Sequence, residues 1–69
     1  MNKRETILHN FVYHAPKPGQ QEIYASLRDK GKELALLILD STPESREQSI
    51  AITKLEEVIM WSNAGLARS

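Results

Sequence analysis

Apolar residues recur along this chain in two long stretches with helical spacing and in one short cluster without it. Tyr24, Leu27, Gly31, Leu34 and Ile38 follow one another at intervals of 3, 4, 3 and 4. That spacing draws a seam down one face of a helix, and Ala35 falls on the same face. It predicts a helix over residues 19–40. Farther on, Ala51, Ile52, Leu55, Ile59, Ser62 and Leu66 share a face and predict a second helix over 43–67. Between them, Asp40-Ser41-Thr42-Pro43-Glu44 carries two start signals. Ser41 with Glu44 fits a capping box, and Thr42 with Pro43 fits an N-cap followed by a proline in the first helical position. On either reading the link is about four residues, short enough to make the two helices antiparallel neighbours. Each helix would span roughly 35 Å at 1.5 Å per residue.

Gly31 interrupts the first seam. A glycine there costs about 1 kcal/mol of helix propensity against alanine. Either the helix tolerates it, or a partner backbone or ligand approaches closely at that point.

The third cluster, Ile7, Leu8, Phe11, Val12 and Tyr13, leads into Ala15-Pro16-Lys17-Pro18-Gly19. Prolines cannot continue a helix, and each pushes the residue before it toward extended geometry. Residues 1–18 therefore read as an arm and loop, extended or holding a single short turn, docked on the rest. The expected fold is all-α: one domain over 1–69, an antiparallel two-helix hairpin with a short aromatic N-terminal arm.

One hairpin offers a single helix–helix interface, and this chain has apolar residues elsewhere. Leu36 lies roughly 155° from the centre of the first seam at 100° per residue. Leu37 and Leu39 flank the seam, so the end of that helix is apolar nearly all round, as in a helix buried on every side. Ile50 and Trp61 share a face of the second helix away from Leu55, and Met60 points elsewhere again. Leu36, Leu39 and Ile50 come together near the turn. This predicts a homo-oligomer, since the arm can cover one such patch but hardly two.

Length and composition press the same way. A chain of 69 residues seldom stabilises itself with one small core, and the usual supports are disulfides, metals or self-association. There is no cysteine, and His9 and His14, in a segment read as non-helical, do not make a metal site. Nine basic and nine acidic residues give a net charge of zero, without the basic excess of a DNA or RNA binder. The longest apolar run, Leu34–Leu39, is six residues, far below the ~20 of a membrane span. The N-terminus lacks the apolar core of a secretory signal. A cytoplasmic location is expected.

Catalytic chemistry is poorly supplied. There is no thiol nucleophile, no Gly-rich phosphate loop, and no serine with an evident histidine partner. Glu56 and Glu57 point about 100° apart on a helix and read as a solvated or ion-paired face. No catalytic residue, metal or cofactor is expected. Binding chemistry is better supplied. Phe11 and Tyr13 offer flat faces on which bases stack. Arg28 and Lys32, at i and i+4 beside the seam, can converge on one anion, with Lys30 on the opposite flank. Asp29 and Glu33 interleave with them, as on any mixed-charge helix.

Phe11-Val12-Tyr13-His14-Ala15-Pro16 has the form F-x-Y-H-x-P. Gln20, Tyr24 and Leu27-Arg28 follow, then Pro43-Glu44-Ser45-Arg46-Glu47-Gln48-Ser49, then Thr53-Lys54-Leu55-Glu56-Glu57-Val58-Ile59-Met60-Trp61-Ser62-Asn63-Ala64. Together these resemble the small hairpin-domain family of phage proteins that counter CBASS immunity by sequestering cyclic nucleotides. A related hairpin domain occurs in phage sponges against Thoeris signalling. The likeness covers residues 10–68. Ser62 and Gly65 stand where the family would have alanine. The resemblance implies a hexamer with cyclic-dinucleotide pockets at subunit interfaces, and in some members a second pocket for cyclic trinucleotides. By motif it implies a dinucleotide site of Phe11, Tyr13 and His14 with Arg28 and Lys32, and a second site drawing on Lys30 and Arg68. Met60, Trp61 and Asn63 read as packing and helix–helix hydrogen-bonding residues. The function implied is binding without cleavage. The rival reading is a helical protein-interaction or regulatory module with no nucleotide ligand, and a nucleic-acid binder is a more distant third.

Overall fold

Asn2, Gly19 and Ser45 open three helices: α1 (Lys3–Asn10), α2 (Gln20–Ser41) and α3 (Arg46–Arg68). The computed structural model describes residues 2–69, so Met1, the first residue of the expected arm, lies outside them. The described residues are all-helical, with no strand.

The arm departs from the expected extended form or single short turn, since its first part is a helix of eight residues. Asn2 accepts from the Glu5 amide at 2.8 Å, an N-cap that starts eight residues of α-helix, and His9 belongs to that helix rather than to a loop. α1 stops at Phe11, and the Pro16–Pro18 loop follows. Gly19 then takes φ +83° to open α2, a conformation that only glycine adopts cheaply.

The turn between α2 and α3 uses neither expected start signal. Thr42 is extended, as the residue before a proline is pushed to be, and its amide and hydroxyl both donate to the Ile38 carbonyl. α3 starts three residues later than expected. Ser45 is its N-cap, accepting from the Gln48 amide at 3.1 Å. Ser45-x-x-Gln48 is itself a capping-box sequence, but the glutamine does not reach back to the cap. Its side-chain nitrogen donates across the turn to Leu39 O, Thr42 O and Thr42 Oγ1 at 3.0–3.2 Å. Ser45→Ala is expected to cost about 1 kcal/mol of stability, the usual worth of such a cap, read by chemical denaturation at fixed protein concentration.

α2 and α3 lie side by side in opposite directions. Gln20 reaches the Leu66 carbonyl, Gly31 meets Ile59, and Gln48 reaches Leu39. The contacting face of α2 is Gln20, Tyr24, Leu27, Gly31, Ala35 and Ile38. Leu34, placed on the seam by its spacing, is exposed, and Ala35 takes the inner position. On α3 the inner face runs Gln48, Ile52, Leu55, Ile59, Ser62 and Leu66, while Ala51 is exposed. Gly31 resolves its ambiguity here. A Cβ built on it would stand 2.8 Å from Ile59 Cγ1 and 2.9 Å from Cδ1, so the glycine admits the isoleucine of the neighbouring helix.

No apolar side chain of the described residues is buried. The buried polar residues are Gln20 and Gln48, at 8% and 7% exposure. The molecule measures 44 × 28 × 14 Å, one helical layer thick. Its accessible surface is 5756 Å², against about 4,400 Å² for a compact folded monomer of this mass. The excess of roughly 1,400 Å² is comparable to what one subunit contributes to a large obligate interface. Leu36, Leu37, Leu39, Met60 and Trp61 are all more than a third exposed, and α1 buries none of its own residues. The arm leaves these faces uncovered.

Candidate ligand-binding site

The aromatic arm hangs between two fixed points. On one side, His9 Nε2 bonds the Arg68 carbonyl at 3.0 Å, joining α1 to the last turn of α3. On the other, the Lys17 ammonium bonds the Ser69 carbonyl, and the Lys17 amide donates to Gln20 Oε1 at 2.8 Å. Between them, Phe11 and Tyr13 stand 86% and 83% exposed. Neither has a ring partner among the described residues, where the ring contact is between His9 and His14, centroids 4.4 Å apart. A phenyl and a phenol held in water with nothing to stack on are what a planar ligand would use.

His14 sits differently from the two aromatics. Its Nε2 bonds the His9 carbonyl at 2.7 Å, so the imidazole folds back over the end of α1. A carbonyl only accepts, so the bonded nitrogens of His9 and His14 each carry hydrogen. The Nδ1 atom of His14 remains for any other partner.

Arg28 and Lys32 project from α2 one turn apart, and neither makes an ion pair among the described residues. Lys32 lines a shallow depression with Asp29, Glu33 and Leu36, where two carboxylates compete with an incoming anion. Arg28 is eight residues, about 12 Å of helical rise, from the Gln20 end where the arm is anchored. No hydrogen bond joins the arm aromatics to Arg28 or Lys32 within the described residues. No polar contact among the described residues therefore brings the expected aromatic and basic residues together.

The second expected pair is also apart. Lys30 faces Glu33 at 3.6 Å, both well exposed, an interaction worth little. Arg68 lies at the open end of the hairpin, near Gln20 and ten residues along α2 from Lys30, with its backbone carbonyl taken by His9. Asn63, read as a hydrogen-bonding residue, has a buried Oδ1 without a partner among the described residues. Ser62 donates back to Val58 within its own helix.

The sequence reading gave no role to the partners that fix the arm. His9, Lys17 and Gln20 reach carbonyls 46 to 59 positions away, and no local spacing signals such contacts. No group of three or more His, Cys, Asp or Glu that could hold a metal occurs among the described residues. No described helix is long and apolar enough to cross a membrane.

No curated protein and no solved structure matches the chain. A family model does, the Acb2/Tad1 hairpin domain, over residues 3–67, which takes in α1, the arm and nearly all of both long helices. The chain belongs to the Acb2/Tad1 hairpin-domain family, that of the anti-CBASS and anti-Thoeris sponges.

Proposed function

We propose that this protein is a phage anti-defence sponge, which binds cyclic dinucleotide immune signals in the host cytoplasm and holds them without cleaving them. Family membership over residues 3–67 carries the reading. The geometry supports it at two points: among the described residues Phe11 and Tyr13 are exposed with no ring partner, and Arg28 and Lys32 are cations with no ion pair. In this mechanism a purine base stacks on the arm, a phosphate meets Arg28 with Lys32 behind it, and His14 offers its free ring nitrogen. Arm and helix come from different subunits in this reading, supported by the lack of any hydrogen bond between them among the described residues of one chain. Lys30 and Arg68 would serve a second pocket for cyclic trinucleotides, again between subunits.

The assembly is a homo-oligomer, by family resemblance a hexamer. The unburied apolar faces of α2 and α3 support this, since a monomer would leave them all in water. Native mass spectrometry should give a single multiple of the chain mass. The melting midpoint should rise with protein concentration, as for any fold coupled to association. A monomer whose midpoint does not depend on concentration would refute the assembly.

Sequestration is tested by loading the purified protein with cyclic di-AMP, cyclic di-GMP or cyclic GMP–AMP, removing unbound ligand and heating. Intact nucleotide should be recovered from the denatured protein. Linear or monomeric products would mean an enzyme, and no retained nucleotide would end the sponge reading. Tyr13→Ala should weaken binding roughly 5- to 150-fold, the equivalent of 1–3 kcal/mol of base stacking, measured by calorimetry.

Trp61, 61% exposed on a helix of the pair, keeps a second reading open: docking of a different protein on that face. That reading requires a defined heterologous partner, and no thermal shift with any cyclic nucleotide.

A further inference from the structure

The exposed carbonyls at the end of α3 receive side chains from three separate places. Gln20 Nε2 donates to Leu66 O at 3.2 Å, His9 Nε2 to Arg68 O at 3.0 Å, and Lys17 Nζ to Ser69 O. A helix leaves its last carbonyls without internal partners and carries partial negative charge there, so it draws donors and cations. Leu66 O also takes the Ser69 hydroxyl at 2.7 Å, and the remaining donors are the residues that bracket the arm. α1 buries none of its own residues, and Phe11, Val12 and Tyr13 are all more than half exposed. Apolar packing within the chain therefore does little to hold the arm. Gln20 is the junction: its Oε1 fixes the Lys17 amide and its Nε2 fixes Leu66, at 8% exposure.

We propose that the C-terminal turn of α3 is the mount of the aromatic arm, and that His9 and Gln20 are positioning residues that hold Phe11 and Tyr13 in place for ligand. This rests on the reading of the arm as the ligand-stacking element. Neither residue need touch the ligand. Each restricts a segment that would otherwise have to be ordered on binding, and pre-ordering raises affinity without adding a contact.

The test compares His9→Phe, which keeps a ring and loses the donor, with His9→Gln, which keeps a side-chain donor of similar reach. Gln20→Glu, which keeps the acceptor and loses the donor, is a second, independent probe. Two quantities are read on the intact oligomer: backbone hydrogen exchange without ligand, and affinity for whichever of cyclic di-AMP, cyclic di-GMP and cyclic GMP–AMP the wild type binds. His9→Phe and Gln20→Glu should speed exchange at the hydrogen-bonded amides of residues 5–11 at least about tenfold, leave the centres of α2 and α3 protected, and weaken binding about 5- to 30-fold. His9→Gln should restore most of both.

Unchanged exchange in the arm overturns the mount. Faster exchange with unchanged affinity overturns the positioning role. Failure of the wild type to bind any cyclic dinucleotide ends the sponge reading instead, and the exchange data then decide the mount alone.

Discussion

Gly31→Val is expected to lower stability by about 3 kcal/mol, with Gly31→Ala losing about 1 kcal/mol, by chemical denaturation at fixed protein concentration. The direction is the informative part. In an open helix, replacing glycine by alanine stabilises by about 1 kcal/mol. Here the added carbon would fall 2.8–2.9 Å from two atoms of Ile59, inside contact distance. Overpacking of this kind costs about 1–3 kcal/mol and outweighs the propensity gain. Valine adds a second branch toward the same side chain and recovers little propensity. Ile59→Ala removes both clashing atoms, so it should cost much less in the Gly31→Val background than in the wild type. A coupling of about 1–2 kcal/mol in that double-mutant cycle would locate the clash at this pair. Stabilisation by Gly31→Ala would mean that the Ile59 side chain turns aside at little cost.

Gln48→Glu should cost about 3 kcal/mol at neutral pH. The amide nitrogen of Gln48 donates to two backbone carbonyls and a threonine hydroxyl, and the residue is buried. Glutamate has the same shape and no donor, so a carboxylate would face the two carbonyl oxygens it cannot pair with. This raises the folded-state pKa of the new group above its unfolded value of about 4.3. The protonated acid can donate again. The penalty is therefore small below about pH 4.3 and grows as the pH rises through the raised folded value. Wild type and variant should differ most at neutral pH and converge toward pH 4 in parallel denaturation series. No loss at neutral pH would mean that Gln48 acts through shape alone and that its donated hydrogen bonds contribute nothing.

The sequence was most legible where physics is local. Both long helices follow from helical spacing and a proline-marked break, and the all-helical class with them. The start of α3 was misplaced because three hydroxyl residues compete within five positions, Ser41, Thr42 and Ser45. Each has a plausible capping sequence and local spacing does not choose among them; Thr42 instead closes α2, with its amide and hydroxyl both on the Ile38 carbonyl. Leu34 was drawn into the seam because its spacing suits it as well as that of Ala35. The helices prefer the smaller residue one turn after Gly31, where they approach closely. α1 was missed because Ile7 and Leu8 are adjacent and mark no stripe, while the Asn2 cap that starts the helix is a weak signal by itself. The candidate site was legible as residue types, a pair of aromatics and a pair of cations one helical turn apart. Its joining was not, because the contacts that anchor the arm link residues about 50 positions apart, and the proposed pocket spans subunits.

The two buried glutamines have a consequence for how the helices choose their alignment. Gln20, at the start of α2, holds the last turn of α3, and Gln48, near the start of α3, holds the last turn of α2. A seam of leucine, isoleucine and alanine offers nearly equivalent contacts after one helix slides by a turn, about 5.4 Å. The glutamines do not. A slide in either direction would pull both amides off their carbonyls at once and leave buried donors and acceptors unpaired at both ends. These two side chains act as a register lock, charging every misaligned pairing the cost of two broken caps while the apolar seam between them stays indifferent.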